Sequence, residues 1–432
     1  MEWSLAIAAL ALLGVAAVSR LLSGTPVTPT MLLVALGLLV GPQLLGGVDL
    51  SDRSSTVRTL AEATLTLVLF SDASRVGLHQ LRRGFGVPLR LLGVGLPLTI
   101  GLGALAAAAV FDQLTVGEAV ILSVILAPTD AALGEAVVTN PRIPARIRQG
   151  LNVESGLNDG ICVPLLFAAV AAADVESHIA GGRGAVELLL EEIGYGVLGG
   201  AVAGILIAAI VVYAGRRNLI AGPWRQVIPA AGAALAYGIA TALDGSGFIA
   251  AFTAGVVFRA LLRDDPAEIN RLSEEVGDVL SGITFLLFGA VLLEPALTEL
   301  SWQLALYALL SLTIVRMAPV GAAMLGSRAR LPTLGFLGWF GPRGLASIVF
   351  ALIVVAESEL PHQRLIVVAV YLTVGLSVFA HGLSAAPLAN RYARWYESHP
   401  RGMAPPMESA PAEMTRSRGR RARAVLSPRM KS

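Results

Sequence analysis

The sequence predicts an all-α polytopic membrane protein of about 13 transmembrane helices, arranged as two inverted six-helix repeats with breaks in spans 5 and 12. Three observations predict it. Apolar residues make up 55% of the 432 residues and charged residues 14%, with a mean hydropathy of +0.72, far from the balance of a soluble domain. The apolar residues gather in stretches of the roughly 20 residues that a membrane helix needs. Two of those stretches carry helix breakers near their middles, at matched positions in the two halves.

The stretches run roughly over 3–22, 30–48, 60–78, 86–111, 116–138, 150–173, 193–214, 224–243, 246–262, 277–296, 302–325, 333–356 and 363–389. The first has Glu2 in its flank and no small-residue cleavage site before a mature domain, so it reads as a retained helix. Alternate loops sort by charge. Arg75, Arg82, Arg83 and Arg90 follow span 3, Arg142, Arg146 and Arg148 follow span 5, Arg216, Arg217 and Arg225 follow span 7, and Arg259, Arg263 and Arg271 follow span 9. The intervening loops are acidic, with Asp112 and Glu118, then Asp174, Glu176, Glu187 and Glu191, then Glu294 and Glu299. The positive-inside rule therefore places the N-terminus outside and the C-terminus in the cytoplasm. Residues 1–390 form one transmembrane domain. Residues 391–432 turn to Pro, Ser and Arg and read as a disordered basic cytoplasmic tail, either resting on anionic lipid head groups or serving only as a solvated end.

Span 5 contains "ILAPTDAA", where Pro128 has no amide hydrogen to give and clashes with the preceding turn. Span 12 contains "LGWFGPRGLAS", where Gly338, Gly341, Pro342 and Gly344 make a continuous helix improbable. At that depth unwound backbone survives only where it is buried in protein or lines a cavity. With spans 1–6 and 8–13 as two repeats joined by span 7, both breaks fall in the fifth helix of a repeat, which points to a transporter with its site at the midplane.

Charged side chains near mid-depth are costly, so they mark pairs or function. Asp72, Asp130, Glu154, Asp159, Arg316 and Arg343 all lie there. On span 6 the four-residue spacings Glu154 to Asn158 and Ser155 to Asp159 form adjacent stripes. One stripe can meet a helix carrying an arginine while the other faces water, which makes Glu154 a structural ion-pair member and Asp159 the working carboxylate. Asp130 is placed to neutralise the positive end of the half-helix after Pro128, and Arg343 the negative end of the first half of span 12. Asp159, Ser155, Asp72 and the Thr129 carbonyl then remain as oxygen ligands suited to a hard cation such as sodium. The five histidines (79, 178, 362, 381 and 399) are scattered and read as packing or interfacial groups. The single Cys162 excludes an internal disulfide. Neither a cofactor nor a nucleic-acid partner is expected.

"APTDAA", "ESGLNDG" and "GPRGLAS", in this order and spacing, resemble the monovalent cation:proton antiporters, in the sodium/proton exchanger branch of NhaP-type proteins and animal exchangers. The resemblance runs over about residues 1–390. It implies thirteen helices, crossed unwound helices in spans 5 and 12, core and dimerisation subdomains interleaved in sequence, a homodimer, and elevator-type alternating access in the cell membrane. It implies one-for-one electroneutral exchange of sodium or lithium for protons, because Asn158 precedes Asp159 where electrogenic relatives have two acids. Position by position, Asp159 resembles the cation and proton carrier, Thr129 and Asp130 the unwound motif, Ser155 a ligand to sodium, and Glu154 the partner of Arg316. Asp72 stands in "FSDA" where relatives often have "FEG", and "GPRG" replaces the commoner "GLRG".

Three other readings stay open on the residues alone. A sodium-coupled symporter of an organic anion needs further polar groups, of which the sequence shows few. A channel needs repeated selectivity elements. An enzyme with a serine nucleophile needs Gly at position 153, which is Val. Three glycines in span 7, Gly196, Gly200 and Gly204, allow close helix approach either within the protomer or across a dimer.

Overall fold

The computed structural model describes residues 2–22, 25–41, 54–75, 86–177, 182–262, 267–398 and 406–409. The far ends of expected spans 2 and 3, Arg82, Arg83 and Arg263, His79, His178 and His399, and the tail from 410 onward lie outside the described residues. Every element among the described residues is helical. Six helices are long and apolar enough to cross a membrane on their own, and shorter apolar helices complete the set.

The helices are α1 (Glu2–Leu22), α2 (Pro29–Val40), α3 (Ser54–Arg75), α4 (Gly86–Val110), α5a (Val116–Ile125) with the short α5b over 132–138, and α6 (Ala145–Ser177). They continue with α7 (Gly182–Arg216), α8 (Gly222–Thr241), α9 (Gly247–Leu261) and α10 over 267–298. The last are α11a (Trp302–Leu312) and α11b (Ile314–Ala323), α12a (Leu331–Trp339) and α12b (Leu345–Glu357), and α13 (Gln363–Glu397). Helix starts follow local chemistry. Thr28 caps α2 ahead of Pro29, Ser246 caps α9 and Ser301 caps α11a. Thr115 and Glu118 form a reciprocal capping box on α5a.

Three irregularities go beyond the expected spans. Wider π turns interrupt α4 at Leu91–Gly95 and α10 at Phe288–Leu293, and α11 breaks at Thr313. The first two contain glycines, and neither carries a proline, so nothing in hydropathy marked them. At its end α13 runs to Glu397, past the expected span end at 389, and a single turn, Pro406–Ser409, follows.

Packing divides the helices into two groups. Helices α4, α5a, α6, α11, α12 and α13 contact one another as a bundle, while α2, α3 and α7–α10 form a panel beside it. The long helices α6 and α13 carry most of the seam between them, α6 against α3, α7 and α9, and α13 against α2 and α10. Leu10 and Leu13 on α1, and Leu198, Val202 and Ile205 on α7, are exposed, as side chains facing hydrocarbon must be.

Close approach within the panel depends on the α7 glycines. A Cβ on Gly200 would overlap the Ala250 carbonyl oxygen, and one on Gly204 would stand 2.8 Å from that of Ala254. These glycines therefore seat α9 within the protomer. Gly200→Val is expected to push α7 off α9 and to cost about 1–3 kcal/mol. A fall in the detergent melting temperature checks this, and an unchanged melting temperature would contradict the packing role.

Candidate functional site

Both broken helices lose their hydrogen-bond ladder in the middle of the bundle, and the two unwound stretches meet there. Helix α5a ends at Ile125 and helical turns resume at Ala132; α12a ends at Trp339 and α12b begins at Leu345. The Asp130 amide donates to the Pro342 carbonyl at 2.8 Å, joining the two stretches directly. Gly344 permits the crossing, because a Cβ there would overlap the Asp130 carboxylate.

Four of the freed carbonyls at and beyond the end of α5a have side-chain partners. The Ile125 carbonyl accepts from Ser347 Oγ at 2.8 Å, and the Ala127 and Pro128 carbonyls accept from Arg343 Nη1 at 2.8 and 3.1 Å. The Thr129 carbonyl accepts a short bond from Ser155 Oγ. On the positive side, Asp130 accepts from the amides of Ala132 at 2.9 Å and of Leu345 at 3.1 Å, so it sits on two helix N-termini at once. Arg343 thus compensates the C-terminal end of α5a across the crossing, and not that of its own α12a as the sequence predicted. The reason is proximity: crossing brings the α5a carbonyls to the arginine. Arg343 is fully buried and its own amide donates to Ser377 Oγ at 2.7 Å.

Helix α6 supplies the remaining groups. Asn158 accepts from the Thr129 amide at 3.3 Å and donates to Thr129 Oγ1 at 2.8 Å, while Ser155 Oγ lies 3.3 Å from the same hydroxyl. Ser155 and Asn158, three residues apart, therefore act together on Thr129, which cuts across the two stripes read from four-residue spacing. On the other face Glu154 and Arg316 form a bidentate pair, with Nη1 to Oε1 at 2.6 Å and Nη2 to Oε2 at 2.9 Å. Both are buried, at 2% and 3% exposure. Such a pair is neutral as a unit, and it engages both Glu154 oxygens.

Asp159 is different. It is buried and its Oδ1 has no hydrogen-bond partner among the described residues. Asp72 approaches from α3, with its side chain laid over Gly156, where a Cβ would stand 3.0 Å from the Asp72 Cβ. Its carboxylate lies 3.5 Å from Arg75, which also pairs with Glu274 at 2.7 Å. One turn further along α6, the Phe252 ring of α9 covers Gly160. A cavity runs from Thr129, Asp130 and Ser155 past Val137 and Leu151, toward the connection between α5b and α6. Asp159, one turn on from Ser155 along α6, does not line it. Asp130, Ser155 and Thr129 bring carboxylate, hydroxyl and carbonyl oxygen to it, the chemistry of a hard monovalent cation. Sequence reasoning missed Ser347 and Ser377, since a lone serine in an apolar helix carries no signal of its partner.

Two crossed, interrupted helices with compensated ends, enclosing a carboxylate, define the architecture of a secondary transporter. A match to the family described as "Sodium/hydrogen exchanger, transmembrane" spans residues 6–391, and the chain belongs to that family. It is 24% identical over 390 residues to the K(+)/H(+) antiporter NhaP of Alkalimonas amylolytica, covering 90% of this chain and 64% of that one. It is 26% identical over 290 residues to a Na(+)/H(+) antiporter of Schizosaccharomyces pombe, covering 63% of this chain and 60% of that one. The chain thus spans a little under two thirds of the length of these relatives. Its fold is similar to that of the sodium proton antiporter MjNhaP1 from Methanocaldococcus jannaschii, with a TM-score of 0.71, 18% identity, and coverage of 88% of this chain and 100% of that one.

Removing one member of the buried pair strands the other. Glu154→Gln is expected to destabilise the protein by about 3–5 kcal/mol through an unpaired Arg316, and Glu154→Gln with Arg316→Leu to recover most of that loss. Thermal unfolding of the single and double variants in detergent checks it; equal losses in both would contradict the pairing.

Proposed function

We propose that this chain exchanges a monovalent alkali cation for protons through Asp159. The observation that carries the reading is the asymmetry among buried charges. Of the three acids around the crossing, Glu154 has both oxygens on Arg316 and Asp130 accepts from two helix ends, while Asp159 Oδ1 has no hydrogen-bond partner among the described residues. A carboxylate in a low-dielectric site favours a neutral complex, and either a proton or a cation of unit charge supplies one. Because both compete for one group, loading with one expels the other. Exchange then needs only that the loaded site crosses the membrane more readily than the empty, charged one.

The ligand set supports sodium or lithium held by Asp159, Ser155 and the Thr129 carbonyl, with Asn158 positioning Thr129 and Asp72 offering a second carboxylate from the panel. Relatives named for potassium as well as sodium keep both cations as substrates to test. Neutral loading in both half-cycles supports one-for-one, electroneutral exchange. The division into a bundle carrying Asp159 and a panel carrying Asp72 supports elevator-type movement of the bundle, with the panel as the homodimer contact. Cavity residues Val137 and Leu151 lie on the side of the basic α5b–α6 connection, which the positive-inside rule assigns to the cytoplasm of a cell membrane. On that assignment the N-terminus is outside and the site faces inward.

Reconstituted into proteoliposomes with an imposed pH gradient, the protein is expected to collapse the gradient on addition of sodium, lithium or potassium. Clamping the voltage is expected to change the rate little, and Asp159→Asn to reduce it to the protein-free background. Proton movement that no cation elicits, or that survives Asp159→Asn, would contradict the proposal.

A further inference from the structure

The two broken helices are each followed by a long helix, α5 by α6 and α12 by α13, and each long helix grips the unwound stretch before it. On α6 the grip is Ser155 with Asn158 on Thr129, described above. The corresponding grip on α13 is made by Ser377 and His381. His381 is fully buried, at 0% exposure. Its Nε2 lies 2.9 Å from the Trp339 carbonyl, the last of α12a, which also accepts from the Gly341 amide at 2.9 Å, and its Nδ1 lies 3.2 Å from Ser377 Oγ. Ser377 Oγ in turn receives the Arg343 amide at 2.7 Å. One side chain pair therefore spans the whole unwound stretch, from the last carbonyl of α12a to the amide of the arginine that caps α5a.

Two carbonyls flank the ring, Trp339 at Nε2 and Ser377 at Nδ1, and a neutral ring can donate to only one of them. The shorter contact, 2.9 Å against 3.1 Å, assigns the hydrogen to Nε2, toward Trp339. The bare Nδ1 then accepts from the Ser377 hydroxyl, whose oxygen accepts from Arg343. The Nδ1 also lies 3.1 Å from the Ser377 carbonyl, one turn back on its own helix. Two further contacts hold the ring. The Trp339 indole packs on it at 5.0 Å between centroids, and Trp339 Nε1 donates to Ser384 Oγ at 2.8 Å, one turn on along α13.

We propose that Ser377 and His381 are positioning residues for exchange: they hold residues 340–344 so that the Arg343 guanidinium stays on the end of α5a. This role rests on the exchange reading above only for its transport consequence. The physical chain is short. Without His381 the Trp339 carbonyl loses its partner from α13 and Ser377 loses the acceptor that orients its hydroxyl. The Arg343 amide is then held less firmly, and its side chain can leave the Ala127 and Pro128 carbonyls. Thr129, next in sequence, shifts with them, although no cation ligand has been touched.

A glutamine amide places a nitrogen donor about where Nε2 stands and leaves an oxygen to accept from Ser377, whereas leucine fills similar space with neither. The test compares wild type, His381→Leu, His381→Gln and Ser377→Ala in two measurements. One is cation-driven proton flux in proteoliposomes. The other is amide hydrogen exchange of peptides covering 336–348 and 124–133, which needs no transport. His381→Leu is expected to speed exchange at both stretches while protection elsewhere is kept, and to lower the maximal flux by about tenfold, the factor that about 1.4 kcal/mol represents. His381→Gln is expected to restore both, and Ser377→Ala to fall between. Unchanged amide exchange in His381→Leu would overturn the proposal, as would a glutamine variant no better than the leucine one. If wild type moves no protons with any cation, the exchange reading fails, and the amide measurement still decides the grip.

Discussion

Interrupting two helices in the middle of a membrane leaves partial charges that water cannot reach, and cancelling them governs the rest of this structure. Two helix N-termini and two C-termini converge where residues 126–131 cross residues 340–344. Asp130 answers the positive ends through the amides of Ala132 and Leu345, and Arg343 answers the negative end of α5a through two carbonyls. Each of these residues belongs to one broken helix and reaches across to the other, Asp130 while also holding the start of its own second half. Glu154 and Arg316 close their own account within the bundle. What is left over is the charge of Asp159.

That remainder explains how the surroundings are built. Groups that fix the crossing, such as Ser347, Ser155, Asn158, Ser377 and His381, are neutral, so they add hydrogen bonds without adding charge. All of them belong to the bundle. The panel contributes Asp72, over Gly156, and Phe252, over Gly160, on either side of Asp159 along α6. Asp159 therefore lies at the seam between bundle and panel, where glycines let the two surfaces sit close. Rigid crossing and smooth seam are separate requirements, met by different residues of the same helix.

Much of this was legible in the sequence because its signals are local. Pro128, and the glycines and proline of 341–344, mark breaks wherever they stand in a membrane helix, and charges at mid-depth advertise themselves against an apolar background. The pairing of Glu154 with Arg316 was accessible only through resemblance, since 162 residues separate them. The target of Arg343 was misread for a related reason. Its carbonyl partners lie 216 and 215 residues away, and only the crossing shows that they are nearer than its own helix end. The π turns in α4 and α10 and the break at Thr313 leave no mark on hydropathy, because the flanking residues are as apolar as those of an unbroken helix. His381 looked like a packing residue. Its two nitrogens acquire meaning only once Trp339 and Ser377 are placed beside them.

If proton and cation compete for Asp159, cation binding releases a proton. The purified protein in weakly buffered detergent solution would be titrated with sodium, lithium or potassium while a pH indicator follows the medium. Release of up to one proton per protomer is expected as the cation saturates, and none from Asp159→Asn. Cation binding to wild type without proton release across the pH range, or equal release from Asp159→Asn, would contradict it.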